Sequence, residues 1–190
     1  TTIYSEPLYL NDSCTVIAQG FYKNKPVTNM VTKRFEKVIP RSPAHGIMLP
    51  GNLDVKIFSG DWDEMPDFSR MSPTETRAAQ SVSEKPESEY QGREYLGYIY
   101  AQKDEMHIFA LTSDDGSRLY IGDKLVVDND GLHGIQVKKG SIALSEGWHP
   151  IRVEWFNKTG GASLNLQMGL LGEEMGEIDS EHFATKRSDW

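Results

Sequence analysis

The chain has 190 residues, 38% of them hydrophobic, which is typical of a globular protein with one domain and some additional material. Its 28 acidic residues outnumber its 20 basic residues, for a formal net charge of −8. This balance argues against a nucleic-acid partner, because phosphates favour a basic surface. The single cysteine excludes a disulfide bond within the chain, and no apolar run is long enough to span a membrane.

The N-terminal part of the chain is expected to be a small β segment. Residues 15–21 and 27–38 are rich in strand-forming residues, and the first of these stretches alternates apolar and polar side chains. Pro40 and Pro43 then interrupt the pattern, which indicates a boundary. The expected units are residues 1–39, a partial β-sandwich, and residues 40–190, a larger β domain.

The larger domain is predicted to consist of many short strands separated by turn residues. Turns are expected at Gly122–Asp123 and at Lys139–Gly140. Strands are expected around residues 53–57, 96–100, 106–110, 119–121, 125–127, 135–137, 142–144, 151–155 and 162–168. This spacing favours an all-β fold, an antiparallel β-sandwich or barrel. Trp155 lies on an alternating strand and is expected to be buried between the sheets.

One helix is predicted in this domain. Residues 72–75, Ser-Pro-Thr-Glu, have the pattern of a capping box with proline at the first helical position. Ala78, Ala79 and Val82 follow as a thin apolar stripe. The polar residues 83–91 are then expected to form a loop.

A pair of carboxylates is the first candidate site. Asp114 and Asp115 are followed by Gly116 and lie between two predicted strands. Adjacent carboxylates can hold a hard cation such as calcium through their oxygens. Asp and Gly are also common in ordinary tight turns. The residues alone leave both interpretations open.

Two other polar turns require attention. Asp128 starts an Asp-Asn-Asp-Gly run that is similar to the beginning of an EF-hand loop, but the twelfth position, which needs a bidentate Glu, is Lys139. That motif is therefore rejected, although one of these residues could still face a ligand. Asn157 precedes a Lys-Thr-Gly-Gly sequence and is expected in a hairpin loop.

No catalytic site is predicted on this chain. The acidic run at residues 61–64 could suggest a glycosidase pair, but such enzymes need two carboxyl groups held about 5–9.5 Å apart across a sugar, and nothing in the sequence fixes that geometry. The preferred interpretation is a solvated loop anchored by Trp62. The sequence has no phosphate loop, nucleophile elbow or His/Cys metal spacing.

Residues 109–121, Phe-Ala-Leu-Thr-Ser-Asp-Asp-Gly-Ser-Arg-Leu-Tyr-Ile, resemble the signature of the PA-fourteen (PA14) domain, the module named after anthrax protective antigen. The resemblance continues through residues 128–134 and 146–155, and it is strong over residues 95–168. One departure is the hairpin Gly122–Asp123, where the family usually has Asp-Gly. The resemblance implies an antiparallel β-sandwich of the PA-fourteen type.

The same resemblance implies a metal site and a function. In lectin members of the family, the two aspartates are joined by a cis peptide bond and hold calcium together with an asparagine. Asp114, Asp115 and Asn157 would then bind calcium, with Asp130 and His133 lining the glycan-binding rim. Two functions remain open: a calcium-assisted carbohydrate-binding module, or a structural, pocket-shaping accessory domain with no ligand of its own.

The N-terminal segment has a resemblance of its own. Residues 1–8 and 15–21 are similar to the second half of a chitobiase/β-hexosaminidase C-terminal sandwich. Together the two resemblances imply a piece of a secreted, periplasmic or cell-surface glycoside hydrolase, possessing a β-hexosaminidase-like catalytic domain upstream. The expected partners are a glycan and that upstream domain. Half a sandwich leaves strand edges unpaired, so residues 1–38 are expected to pack on the larger domain or on a neighbouring chain.

Overall fold

The structure, a computed structural model, describes residues 2–46, 48–83 and 89–186. It is an all-β fold of antiparallel sheets with two short 3₁₀ helices among these residues, which confirms the predicted fold class. The chain divides into two compact units, Thr1–Ile39 and Pro40–Trp190. Within the described residues, no helix has the length and hydrophobicity needed to cross a bilayer.

The first unit contains two small antiparallel sheets. Its strands are β1 (Cys14–Ala18), β2 (Phe21–Tyr22), β3 (Lys25–Pro26) and β4 (Val31–Phe35). β1 pairs with β4, and β2 pairs with β3 through a two-residue turn. Lys23 and Asn24 form that turn with φ of 48° and 61°, the backbone that suits the right-handed twist of a hairpin.

The second unit is a sandwich of two sheets. Its strands are β5 (Met48–Pro50), β6 (Leu53–Ser59), β7 (Glu75–Ala79), β8 (Gln91–Ala101), β9 (Glu105–Asp114), β10 (Ser117–Ile121), β11 (Lys124–Asn129), β12 (Gln136–Leu144), β13 (Gly147–Asn157), β14 (Ser163–Leu170), β15 (Gly176–Glu177) and β16 (Phe183–Lys186). The 3₁₀ helices are Phe68–Arg70 and Ser180–His182.

The longest strands, β8 and β13, lie side by side in one of the two sheets. In the eight-stranded sheet the order is β11-β10-β13-β8-β16-β5, with β6 paired to both β8 and β7. β8 pairs with β13 over its whole length, and its other edge is shared between β6 and β16. The second sheet has the order β12-β9-β14-β15. β9 and β10 therefore belong to different sheets, and the short turn between them crosses one end of the sandwich.

The core lies between the two sheets. Trp155 is fully buried, as predicted, together with alternate residues of β13 and the inward residues of β6, β10 and β14. β8 differs from the expectation. Its buried apolar residues are Tyr95, Ile99 and Ala101, whereas the alternating Leu96, Tyr98 and Tyr100 that mark the strand in the sequence are half-buried on the other face.

The predicted helix after residue 72 is wrong. Glu75–Ala79 forms β7, which pairs with β6, and the Thr74 N–H donates to Ile57 O at 2.8 Å. The edge of β6 offers a complete row of hydrogen-bond partners, and this pairing outweighs a local capping signal. The predicted loop at residues 83–91 ends where β8 begins, and its residues 84–88 lie outside the described part of the chain.

The predicted turn at Lys139–Gly140 is also wrong. β12 runs without interruption from Gln136 to Leu144 and pairs with β9 throughout. Gly140 serves close packing here, since a Cβ atom at this position would lie 1.9 Å from Val126 O of β11.

Candidate functional site

The loops at one end of the sandwich converge on Asp115. Its side chain is 7% exposed, and its two oxygens accept hydrogen bonds from different loops. Oδ1 accepts from the His133 N–H at 3.1 Å, and Oδ2 accepts from the Lys158 N–H at 2.9 Å. The Asp115 carboxylate therefore joins the β9–β10 turn to the β11–β12 and β13–β14 loops.

Asp114 lies beside it but is bound differently. The Asp114–Asp115 peptide bond is cis, as the family resemblance implied. The main-chain oxygen of Asp114 accepts a hydrogen bond from Trp155 Nε1 at 3.1 Å, which fixes the turn to the core. Its carboxylate accepts no hydrogen bond from the described residues. Burial, and then the charge of Asp115, raise the pKa of the Asp114 carboxyl above its usual value.

Asn157 completes the group from the end of β13. It is fully buried, and its side-chain amide lies 2.9 Å from Gly161 O and 3.2 Å from Asp115 Oδ2. If the amide nitrogen points toward these atoms, Asn157 donates to both of them. In the opposite orientation Oδ1 faces these two oxygens, and a cation among the three oxygens would favour that orientation.

Gly161 brings the loop close to Asp114. A Cβ atom at Gly161 would lie 2.9 Å from Asp114 Oδ2, so a larger residue would push the loop away from the carboxylate. The oxygen atoms of Asp114, Asp115, Asn157 and the Gly161 carbonyl thus meet in one small region. A hard cation prefers such a set of carboxylate, amide and carbonyl oxygens.

A buried polar network lies under this turn. Ser113 Oγ and Ser117 Oγ are 2.6 Å apart, and Asn129 Nδ2 donates to Ser113 Oγ at 3.0 Å. All three residues are fully buried. Gly116 is also required, because a Cβ atom there would lie 2.4 Å from Phe156 Cε1. The ends of β9, β10 and β11 are therefore fixed rigidly beneath the aspartate pair.

Asp130 is held by protein groups. Its Oδ1 accepts from the main-chain N–H of Met65 at 2.8 Å and of Gly131 at 2.7 Å, and its Oδ2 accepts from Arg118 Nη2 at 2.7 Å. Asp130 therefore ties the loop before the first 3₁₀ helix to β10 and β11.

His133 contacts the site through its main chain. Its N–H donates to Asp115, while its ring nitrogens lie 2.8 Å from Gly134 O and 2.9 Å from Asn129 O. Asp130 and His133 both lie next to the oxygen cluster. The described contacts of their side chains are with other groups of the protein and hold the loops in place.

Charged residues of two loops meet at Lys158, the residue after Asn157. Lys158 Nζ lies 3.0 Å from Asp61 Oδ1 and 2.7 Å from Asp63 Oδ1. Hydrogen bonds to Asp63 and Asp61 raise the pKa of the Lys158 ammonium group. The neighbouring Trp62 packs edge-on against Phe68, with ring centroids 5.9 Å apart. The run at residues 61–64 is thus a loop anchored by its tryptophan, as predicted.

Sequence reasoning did not find Gly161 or the contacts of Lys158. Gly161 contributes a main-chain carbonyl, which no side-chain pattern reveals. Asp61 and Asp63 precede Lys158 by more than ninety residues, and only the fold brings them to the same loop. Their alternation around Trp62 was visible, but nothing in the sequence identified the cation they would meet.

The PA14 domain family model matches residues 58–181. Among solved structures, the PA14 domain of the MpAFP antifreeze protein is 16% identical with a TM-score of 0.65, and the match covers 76% of this chain and 96% of that one. The PA14 sugar-binding domain from an RTX adhesin is 12% identical with a TM-score of 0.63, covering 72% and 99%. A β-glucosidase from Kluyveromyces marxianus is 18% identical with a TM-score of 0.51, covering 62% of this chain and 16% of the enzyme. No curated protein matches the sequence.

Proposed function

Because the chain belongs to the PA14 domain family, we propose that residues 40–190 are a non-catalytic carbohydrate-binding module whose glycan site is organised by calcium. The observation that supports this best is the meeting of the Asp114, Asp115, Asn157 and Gly161 oxygens at one end of the sandwich. The sugar-binding domain of the RTX adhesin, which has the same fold, supports a carbohydrate ligand.

The residues present fit a calcium ion. Two carboxylates adjacent in sequence lie in one turn, Asp115 buried and Asp114 half-buried, and the like charge of Asp115 helps to raise the pKa of Asp114. A divalent cation would relieve that repulsion and would favour the amide orientation in which Asn157 Oδ1 faces the cluster. When bound, the ion would supply positive charge and free coordination positions for sugar hydroxyl groups.

The protein's own part is to fix the oxygens before any ligand arrives. The His133 and Lys158 N–H groups hold Asp115, and Trp155 Nε1 holds the main chain of Asp114. Since these donors come from three different loops or strands, the Asp115 carboxylate and the main chain of Asp114 do not have to be ordered when the ion and the sugar bind. Such preorganisation lowers the entropic cost of binding.

A glycan array tests this proposal. The chain is labelled and applied in millimolar calcium and again in excess chelator, together with Asp115→Ala and, as a control, Glu174→Gln in the exposed turn after β14. We expect calcium-dependent retention of glycans by the wild type and the control, and none by Asp115→Ala. A calcium-dependent rise in melting temperature should follow the same pattern.

The second candidate is a structural, pocket-shaping accessory domain of a glycoside hydrolase. It is favoured by the match to the β-glucosidase, in which a region similar to this chain makes up only 16% of the enzyme. An accessory domain would give neither glycan retention nor calcium-dependent stabilisation. That pair of results would reject the lectin proposal in favour of this one.

We also propose that this module belongs to a secreted, periplasmic or cell-surface glycoside hydrolase of the β-hexosaminidase type, with its catalytic domain upstream. The support is the similarity of residues 1–39 to part of a β-hexosaminidase C-terminal domain. The complete protein should then release p-nitrophenol from an aryl N-acetyl-β-glucosaminide, whereas the present chain should not. Absence of that activity in the complete protein would count against this parentage.

A further inference from the structure

The loops around the oxygen cluster carry an excess of carboxylates. We define the acidic rim as Asp61, Asp63 and Glu89. All three are exposed, and each contacts the β13–β14 loop, Asp61 and Asp63 through Lys158 Nζ and Glu89 by accepting the Gly160 N–H at 3.0 Å. The acidic rim therefore lies directly beside the loop that supplies Asn157 and Gly161.

Lys158 and Arg118, two basic residues near the site, are already paired. Lys158 is held between Asp61 and Asp63. Arg118 Nη2 lies 2.7 Å from Asp130 Oδ2, and its Nε lies 3.4 Å from Asp128 Oδ1. Each of these cations contacts two carboxylates, so neither can offer its charge to an anionic ligand without losing existing partners.

A calcium ion would offset the charges of Asp114 and Asp115 but would leave the acidic rim. At physiological ionic strength, charges act over about 8 Å before salt screens them, which exceeds the span of a sugar ring. An anionic group on a bound sugar would therefore meet like charges close by, and like charges facing each other suppress the wrong partner.

From this arrangement, and resting on the proposed function, we infer that the site selects neutral glycans and rejects sulfated, uronate-containing and sialylated ones. The acidic rim determines this selectivity in two ways. It repels anionic groups directly, and it occupies Lys158, the cation best placed to attract them.

An array of matched glycans tests the inference. Neutral oligosaccharides and sulfated or sialylated versions of the same chains are printed together and probed in millimolar calcium. We expect the wild type to bind the anionic versions at least about tenfold more weakly than their neutral counterparts. The difference should shrink as salt is raised, because screening weakens exposed charges first.

The double variant Asp61→Asn/Asp63→Asn removes two rim charges and frees Lys158. The ratio of neutral to anionic binding should fall to about one or invert, and adding Lys158→Met should restore part of the neutral preference. The control, Glu173→Gln/Glu174→Gln, makes the same change in net charge near the start of β9, where Glu173 and Glu174 line one cavity with His107. It should keep the wild-type ratio.

Two outcomes overturn the inference while the proposed function stands: wild type that retains anionic chains as well as neutral ones, or a rim variant that folds normally with an unchanged ratio. Thermal melts establish folding, and the salt series on the wild type remains informative if a variant does not fold. Failure to retain any glycan in calcium is a different result, which overturns the proposed function and this inference with it.

Discussion

At the residue scale, the two neighbouring aspartates have different roles in the unliganded protein. Asp115 accepts two main-chain hydrogen bonds, so Asp115→Ala should lower the free energy of unfolding in chelator by about 1–3 kcal/mol. Asp114 has a raised pKa, which means that its charged form is disfavoured in the folded state. The stability that its protonated form contributes is lost as the pH rises above 3.8, the value in the unfolded chain. Asp114→Asn should therefore leave stability in chelator unchanged or higher.

Denaturant unfolding in chelator and in calcium checks this pair. Both variants should lose the calcium-dependent increase in the unfolding free energy, and only Asp115→Ala should be less stable in chelator. Equal losses of stability in chelator would show that the Asp114 charge is compensated by some other group.

Asp130 provides a second prediction at this scale. Its oxygens bind Arg118 and two main-chain N–H groups, so Asp130→Asn should cost about 1–3 kcal/mol of unfolding free energy through the weakened Arg118 pair. The concentration of calcium that gives half-maximal stabilisation should stay the same. Loss of glycan retention without loss of stability would instead favour the ligand-binding role expected from the family resemblance.

The sequence could predict part of this site. Asp114, Asp115 and Asn157 have oxygen-bearing side chains within a recognisable pattern, and the fold brings these three together. Gly161 has no side chain, and the contact of Lys158 with Asp61 depends on two loops distant in sequence. Neither a main-chain carbonyl nor a contact between distant loops produces a pattern in the local sequence.

At the element scale, strands were predictable where apolar residues alternate on a face that meets the other sheet, as in β13. β7 was not, because a capping pattern is local whereas pairing with the edge of β6 depends on tertiary structure. β12 was divided wrongly because Gly140 was interpreted through its turn preference. A glycine that permits close packing and a glycine that permits a turn look the same in one sequence.

Gly140 gives a direct test of that distinction. Gly140→Ala should destabilise the sandwich by about 1–3 kcal/mol, since the added Cβ would meet Val126 O and force β11 and β12 apart. Gly134→Ala is the matched control, because a Cβ there has no neighbour within 4 Å. Thermal or urea unfolding of the two variants measures the difference. Equal stability would mean that β12 can shift at no cost.

The packing of β9 against β13 buries two histidines. His107 and His149 are 1% and 2% exposed, and burial lowers the pKa of both below 6.5, with the nearby His149 further opposing protonation of His107. The unfolded chain therefore binds protons first as the pH falls. The part of the unfolding free energy that the two neutral histidines contribute is present above pH 6.5. It should be lost as the pH decreases from 6.5 toward their lowered pKa values.

Urea unfolding between neutral and mildly acidic pH measures this loss. His107→Phe removes one titrating group, so its unfolding free energy should decline less steeply with falling pH than that of the wild type. Substitution of the exposed His45 is the control and should leave the slope unchanged. A wild-type slope in His107→Phe would show that His107 is not protonated on unfolding.

At the scale of the whole molecule, the features that matter for the proposed function all lie in the second unit. The continuous apolar core is formed by residues of the second unit alone, and the oxygen cluster and the acidic rim belong to its loops. The described residues of the first unit form two two-stranded sheets, and its apolar side chains such as Phe21 and Val31 are 57% and 64% exposed. Isolated two-stranded sheets are marginally stable in water.

We therefore expect residues 40–190, expressed alone, to unfold cooperatively and to show the same calcium-dependent shift in melting temperature as the full chain. A peptide of residues 1–39 should show no cooperative transition, because it cannot bury enough apolar surface to offset the entropy lost on folding. Circular dichroism melts of the three chains measure both expectations. Loss of the calcium shift in residues 40–190 would mean that the site depends on the N-terminal unit. A cooperative melt of the peptide would mean that its small sheets are stable without the core of the second unit.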